Sequence, residues 1–293
     1  MSGLSRRALL VGALLAGAAL PARAAAPRVA ALDWALLETL LAMGIVPVAA
    51  AELVLFRAVA VEPPVPATVA DIGLRGLPSF EALRLAAPDL IFSSAFYALS
   101  EPQLRMIAPV ETITIYQRGS APLKRAQDAA LRLADACGRP MAGPALVART
   151  DAVLEDCRRA VAAHANRPLL VINLGDARHF RVFGRDSIFG EVLARLGLIN
   201  AWTQNTSYAA SAPVGLEALA GFPDAGLVIL PPIPPDARRV LPDSALWNAL
   251  PGVQGRQVRV LSSVNPFGGL PTAERFARLL AESLARPEGN GLG

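Results

Sequence analysis

The sequence predicts an α/β fold of two similar lobes joined by a long helix. Short apolar strands alternate with helical patterns from Val29 onward, which favours a mainly parallel sheet. Residues 122–165 then carry no strand pattern at all. A helix-to-strand unit also occurs twice, first around Glu81-Ala82-Leu83 leading to Leu90–Phe92, then around Glu217-Ala218-Leu219 leading to Leu227–Ile229.

In the first half, Val29–Leu32 reads as a strand and Trp34–Met43 as a helix closed by Gly44. Val46–Ala50 is a second strand, and Glu62-Pro63-Pro64-Val65-Pro66 a stiff surface segment. Asp71-Ile72-Gly73-Leu74-Arg75-Gly76 is a tight turn carrying an arginine. Ser79 caps a helix through Ala87, with Glu81 in the first turn where the helix dipole favours an acid. Leu90–Phe92 is a buried strand, Pro102–Ala108 a helix and Thr112–Ile115 a β-branched strand.

A helix from Leu123 to Cys137 stops at Gly138-Arg139-Pro140, and a longer one runs from Pro144 to His164. The longer helix is read as a rigid connector. The second half opens with the strand Pro168–Ile172 and a polar loop holding Arg178 and His179. Asp186 or Ser187 caps a helix to Leu196, closed by Gly197. A loop over 200–211 carries Trp202 and Tyr208. After the second Glu-Ala-Leu helix and its strand, Pro231–Pro235 is stiff surface chain. A helix over Ser244–Leu250, a strand over Gln257–Leu261, a loop over Asn265–Gly269 and a helix over Thr272–Ala285 complete the lobe. The expected division is an N-terminal lobe at 27–141, a connecting helix at 142–165, a C-terminal lobe at 166–287 and a disordered tail at 288–293.

Residues 1–24 read as an export signal. Ser5-Arg6-Arg7 is a twin-arginine pattern, Ala8–Leu20 an apolar run, and Ala22-Arg23-Ala24 a small-residue cleavage site. The apolar run is too short and too rich in Ala and Gly for a good membrane span. A periplasmic location follows as an expectation. Three of the 28 basic residues lie in this segment, leaving 25 against 24 acids, so the mature chain is almost neutral. No basic run with interleaved aromatics is present, which disfavours nucleic acid.

Cys137 and Cys157 could be free thiols or a bridge, since two cysteines make no scaffold. His164 and His179 have no partners at metal-ligand spacing, so no protein-held metal or cofactor is expected. The chain lacks a Gly-x-Ser-x-Gly elbow, a Walker loop and a dinucleotide glycine fingerprint. A binding protein fits better than an enzyme.

Arg75 offers a planar, permanently charged donor fork in a loop, suited to oxyanions or metal-bound oxygens. Trp34, Phe96, Tyr97, Trp202, Tyr208 and Phe267 fall after strands or in loops, and together describe a pocket lined by aromatic and polar groups.

Taken together, several segments resemble the periplasmic iron-siderophore binding proteins of ABC importers, most closely the ferric hydroxamate type. They are Arg28–Trp34, Leu40–Pro47, Glu62–Pro66, Asp71–Arg75, Asp176–His179 with Val182–Gly184, Asn200–Trp202 and Leu246–Pro251. The resemblance implies two Rossmann-like lobes on a long helix (the class III binding-protein type), a shallow cleft and limited closure. It implies an iron(III)-siderophore ligand, an inner-membrane ABC permease with its ATPase as partner, and a monomer. Arg75 and Tyr97 match the residues that hydrogen-bond iron-bound hydroxamate oxygens in that family. Trp34, Trp202, Tyr208 and Phe267 match its aromatic wall, while other bulky positions are Val59, Ser93 and Ala209 here, and Arg181 replaces an apolar residue. Glu81 and Glu217 match the acids that dock each lobe onto the permease. A haem, corrinoid or other metal-chelate carrier of the same fold, with His179 as an axial ligand, is the alternative.

Overall fold

The computed structural model describes residues 26–117, 119–204, 214–287 and 289–290. The proposed signal at 1–24, Tyr208 and Ala209 therefore lie outside the described residues. The first half builds strands β1 (Val29–Ala31), β2 (Ala49–Ala50), β3 (Ala70–Asp71), β4 (Leu90–Ser93) and β5 (Val110–Thr112) into one sheet of order β3-β2-β1-β4-β5. Every pairing in it is parallel. The crossovers carry helices α1 (Trp34–Ala42), α2 (Leu53–Val59), α3 (Phe80–Leu85) and α4 (Glu101–Arg105). Parallel sheets need both faces covered, which is why β1 is buried throughout.

Helices α5 (Pro122–Ala136) and α6 (Ala142–Ala160) follow without a strand between them. The second half holds β6 (Pro168–Leu174), β7 (His179–Val182), α7 (Ile188–Arg195), β8 (Ile199–Asn200), β9 (Val214–Gly215) and β10 (Gly226–Ile229). Helices α8 (Pro235–Val240), α9 (Ala245–Ala249) and α10 (Pro251–Gln254) precede β11 (Gln257–Val260), α11 (Leu270–Leu284) and β12 (Gly289–Asn290). The second sheet runs β12-β11-β10-β6-β7-β9, with β8 alongside β6. Here β7 and β9 are antiparallel, so this sheet is mixed.

Several expectations shift. The loop expected at His179 is a strand, because its Phe180 and Val182 point into the core while His179 and Arg181 stay nearer solvent. Part of the tail expected to be disordered instead extends the second sheet, Gly289 and Asn290 pairing with Gln257 and Val258. The second Glu-Ala-Leu segment forms a 3-10 helix over Leu216–Gly221 rather than an α-helix, so the repeat is one of sequence more than of geometry. The strand expected at Thr112–Ile115 lies two residues earlier, where Ile91 and Phe92 supply its partners. Helix α2 is not expected from the sequence, because its apolar run is split between the buried Leu53 and Phe56 and the exposed Val54 and Leu55.

The long α6 is no bare strut. It packs against α5, α7 and α11, and one apolar core runs from Val29 and Leu40 through Leu133 and Leu154 to Phe189 and Leu280. Among the helix starts in this core that have no local side-chain cap are those of α5 and α11. Each is served by a carboxylate from the other half. Glu191 of α7 accepts from the Leu123 amide of α5 at 2.5 Å. Glu38 of α1 accepts from the Gly269 and Thr272 amides at the start of α11, at 2.6 and 3.1 Å. Asn265 and the Thr272 hydroxyl complete its shell at 3.2 Å each. A helix N-terminus favours a negative charge, and its free amides need acceptors. Cys137 and Cys157 are both free and buried.

Candidate ligand-binding site

Ligands of open parallel sheets sit beyond the carboxyl ends of the strands. At that end of the first sheet, β1 runs into Asp33, β2 into Glu52, β3 into the Arg75 turn and β4 into Ser94. Asp33 caps α1 through the Ala35 amide at 2.9 Å. Trp34, the first residue of that helix, is 3 % exposed and donates its indole N–H to the Ala51 carbonyl at 2.9 Å. Phe56 meets its ring edge-on at 5.4 Å. The indole is thereby fixed as a platform.

The Arg75 guanidinium lies on that platform, 3.5 Å from the ring centroid. Its Nε donates to Glu52 Oε2 at 2.8 Å. Asp71 braces the turn by accepting from the amides of Leu53 and Gly73, at 3.0 Å each. Gly73 adopts φ +83°, which explains a glycine in this turn. Among the described residues, the two terminal nitrogens of Arg75 have no hydrogen-bond acceptor, although the side chain is only 35 % exposed. A fixed fork with both tips open is a ready donor pair for ligand oxygens.

Tyr97 is placed differently from the expectation. Its ring is 3 % exposed and its hydroxyl donates to the Leu32 carbonyl at 2.8 Å. The single phenolic proton is therefore spent on the backbone, and the residue shapes the floor of the site. Burial, with Asp33 and Glu52 nearby, pushes its phenol well above the usual range. Burial likewise raises the Asp33 carboxyl, against the opposing pull of the Ala35 and Leu36 amides and of Arg75. Trp34, expected in a wall, is likewise floor.

The remaining expected residues form separate groups. Phe267, 38 % exposed, meets Tyr116 edge-on at 5.4 Å, and the Tyr116 hydroxyl donates to the Gly268 carbonyl at 2.5 Å. This pair joins the two halves. Trp202, half-buried, packs on Phe222 at 5.6 Å against the second half's own core, and its buried indole N–H has no partner among the described residues. Arg181 is exposed on β7 opposite Asn173. Ser93 is buried, its hydroxyl without a partner among the described residues, and Val59 packs on the shared core. Thus Trp34, Arg75 and Tyr97 come together, with Glu52 and Asp33 as members that motif reading missed. An acid just past a strand's carboxyl end, as both are, was the available signal.

Glu81 is exposed on α3. Glu217 is exposed too, but its carboxylate folds back against Gly215. His179 Nδ1 is held by the Asp176 carboxylate at 2.9 Å. Among the described residues, no cluster of three or more His, Cys, Asp or Glu is placed to hold a metal. No described helix is long and apolar enough to cross a membrane.

Residues 29–264 match the family model described as "Periplasmic binding protein". The iron(3+)-hydroxamate-binding protein FhuD of Escherichia coli (strain K12) is 31 % identical over 253 residues, spanning 86 % of this chain and 85 % of the relative. The Desferal-bound siderophore binding protein FhuD of Vibrio cholerae superposes with a TM-score of 0.84 at 25 % identity, covering 89 % of this chain and 99 % of that one. The triscatecholate siderophore binding protein FeuA of Bacillus subtilis shares the fold, with a TM-score of 0.68 at 16 % identity over 89 % of this chain and 93 % of its own.

Proposed function

The chain belongs to the periplasmic binding protein family, and from that premise we propose that it captures ferric hydroxamate siderophores for an inner-membrane ABC permease. The observation that carries this reading is Arg75. It is clamped by Trp34 and Glu52, with its terminal nitrogens free to donate to the oxygens around a wrapped iron. Iron arrives fully coordinated by its chelator, so carriage needs donors to chelate oxygens and apolar walls rather than metal ligands. The names of the E. coli and V. cholerae relatives point to the same ligand class.

In this reading Tyr97 and Trp34 form the floor, Phe267 and the half-buried Trp202 supply aromatic surface from the second half, and Tyr208 is a further aromatic ligand contact. Arg181 adds a polar edge. The protein carries its ligand without chemical change. Export follows the twin-arginine route through residues 1–24, and the carrier works as a monomer of two lobes, 27–141 and 166–287, on the helix at 142–165. Glu81 and Glu217 dock the lobes onto the permease. Rim charges of this kind set encounter rate and orientation more than affinity.

Titrating tryptophan fluorescence with ferrichrome, ferrioxamine B and ferric coprogen tests the ligand class. Saturable quenching by at least one of them is expected, since Trp34 lies directly under the donor fork. Absence of quenching by all three, with no competition between them, rules the class out.

A further inference from the structure

Glu52 is tied to Arg75 twice. Its amide donates to the Gly73 carbonyl at 2.7 Å, in the turn that presents the arginine, and its carboxylate accepts from Arg75 Nε. It does so from the left-handed region, at φ 54° and ψ 48°, a conformation that a side-chain-bearing residue adopts at some cost. The pair is sheltered, the Glu52 side chain being 20 % exposed. Asp33 acts electrostatically on the same centre. One cation therefore faces one partnered and one neighbouring acid. The guanidinium is a hydrogen-bond donor with little net positive charge behind it.

We propose that Glu52 is a specificity-determining residue: by pairing with Arg75 it presents the two terminal nitrogens as charge-balanced donors, so that the site accepts iron chelates of low net charge and disfavours highly anionic ones. The inference rests on Arg75 facing the ligand. A neutral trishydroxamate needs donors and loses nothing to the paired carboxylate. A trianionic tris-catecholate brings three charges toward a site whose cation is already neutralised, so repulsion by Glu52 opposes the attraction of Arg75.

Glu52→Gln keeps an oxygen for Nε and removes only the charge. Affinities for neutral ferrichrome and trianionic ferric enterobactin are measured by fluorescence titration on the full chain, at low and at physiological salt. The ratio of ferric enterobactin to ferrichrome affinity is expected to rise by roughly tenfold or more at low salt and by less at high salt, whatever change loosening the clamp on Arg75 brings to both affinities together. Adding Arg75→Ala to the variant abolishes the rise, because no cation is left to unmask. Glu52→Gly tolerates the positive φ without strain and serves as a second charge-removing variant should the glutamine form fold poorly. An enterobactin-to-ferrichrome affinity ratio that neither variant changes overturns the proposal. Arg75→Ala binding ferrichrome as the parent does would instead overturn the assignment of Arg75, and the inference with it.

Discussion

Arg75 and Tyr97 enter the sequence as equals, and the structure separates them. Both flank the carboxyl end of the first sheet, yet one has free donors and the other has none to give. Hydrogen bonds involving a charged group contribute about 1.5–3 kcal/mol each, so Arg75→Ala is expected to weaken ferric hydroxamate binding by roughly ten- to a hundredfold with little change in thermal stability. Retained affinity in fluorescence titration would remove Arg75 from the site. Tyr97→Phe should do the reverse. It strands the buried Leu32 carbonyl and costs about 1–3 kcal/mol of stability, while affinity moves by less than about threefold on the same argument. A denaturant melt beside a titration distinguishes the two patterns, and a large affinity loss with unchanged stability would return Tyr97 to direct ligand contact.

Among the elements, helices with local caps could be read directly. Ser79 accepts from the Ala82 amide at 3.1 Å and Ser187 from Gly190 at 3.0 Å, as their positions before apolar runs require. Helices α5 and α11 could not be read in this way, since their caps come from Glu191 and Glu38, 68 and more than 200 residues distant. Glu38 has a pH consequence. Burial raises its carboxyl from 4.5 to about 7, against four donated hydrogen bonds. A folded-state pKa above the unfolded value means that the folded chain holds the proton longer. Stability from this group is thus full below pH 4.5 and is lost as pH rises through about 7. At about 1.4 kcal/mol per unit, the loss is on the order of 3 kcal/mol. Chemical denaturation at pH 5 and pH 8 should show a fall in the parent protein that Glu38→Gln flattens. Identical pH dependence in both would exclude Glu38 as its source.

Across the whole molecule, the two sheets share helices rather than standing apart. Leu280 of α11 is fully buried in the core that also contains α1, α5, α6 and α7. Arg275 and Arg278 of the same helix reach Glu62 in the first half, the latter at 2.9 Å. Leu280→Ala should cost about 2–5 kcal/mol and lower the unfolding midpoint of both halves together. Separate transitions, with only the second half shifted, would show that the shared core does not couple them. A common core also limits how far the halves can swing.

Local pattern and chemistry by themselves determined the strand-helix alternation, the strandless middle, the serine caps and the glycine-bounded turn around Arg75. Each depends on neighbours within a few residues, so the order along the chain carries the information. Tertiary structure alone decided where the polar groups are spent. It gave the Tyr97 proton to Leu32, set Trp34 beneath Arg75, and paired Arg75 with Glu52, 23 residues away. It also used Glu38 and Glu191 to close helices of the opposite half, and turned Gly289 and Asn290 from expected tail into an edge strand. The physical reason is the same throughout. A buried donor or acceptor must find a partner, and which partner lies within 3 Å depends on how distant segments pack.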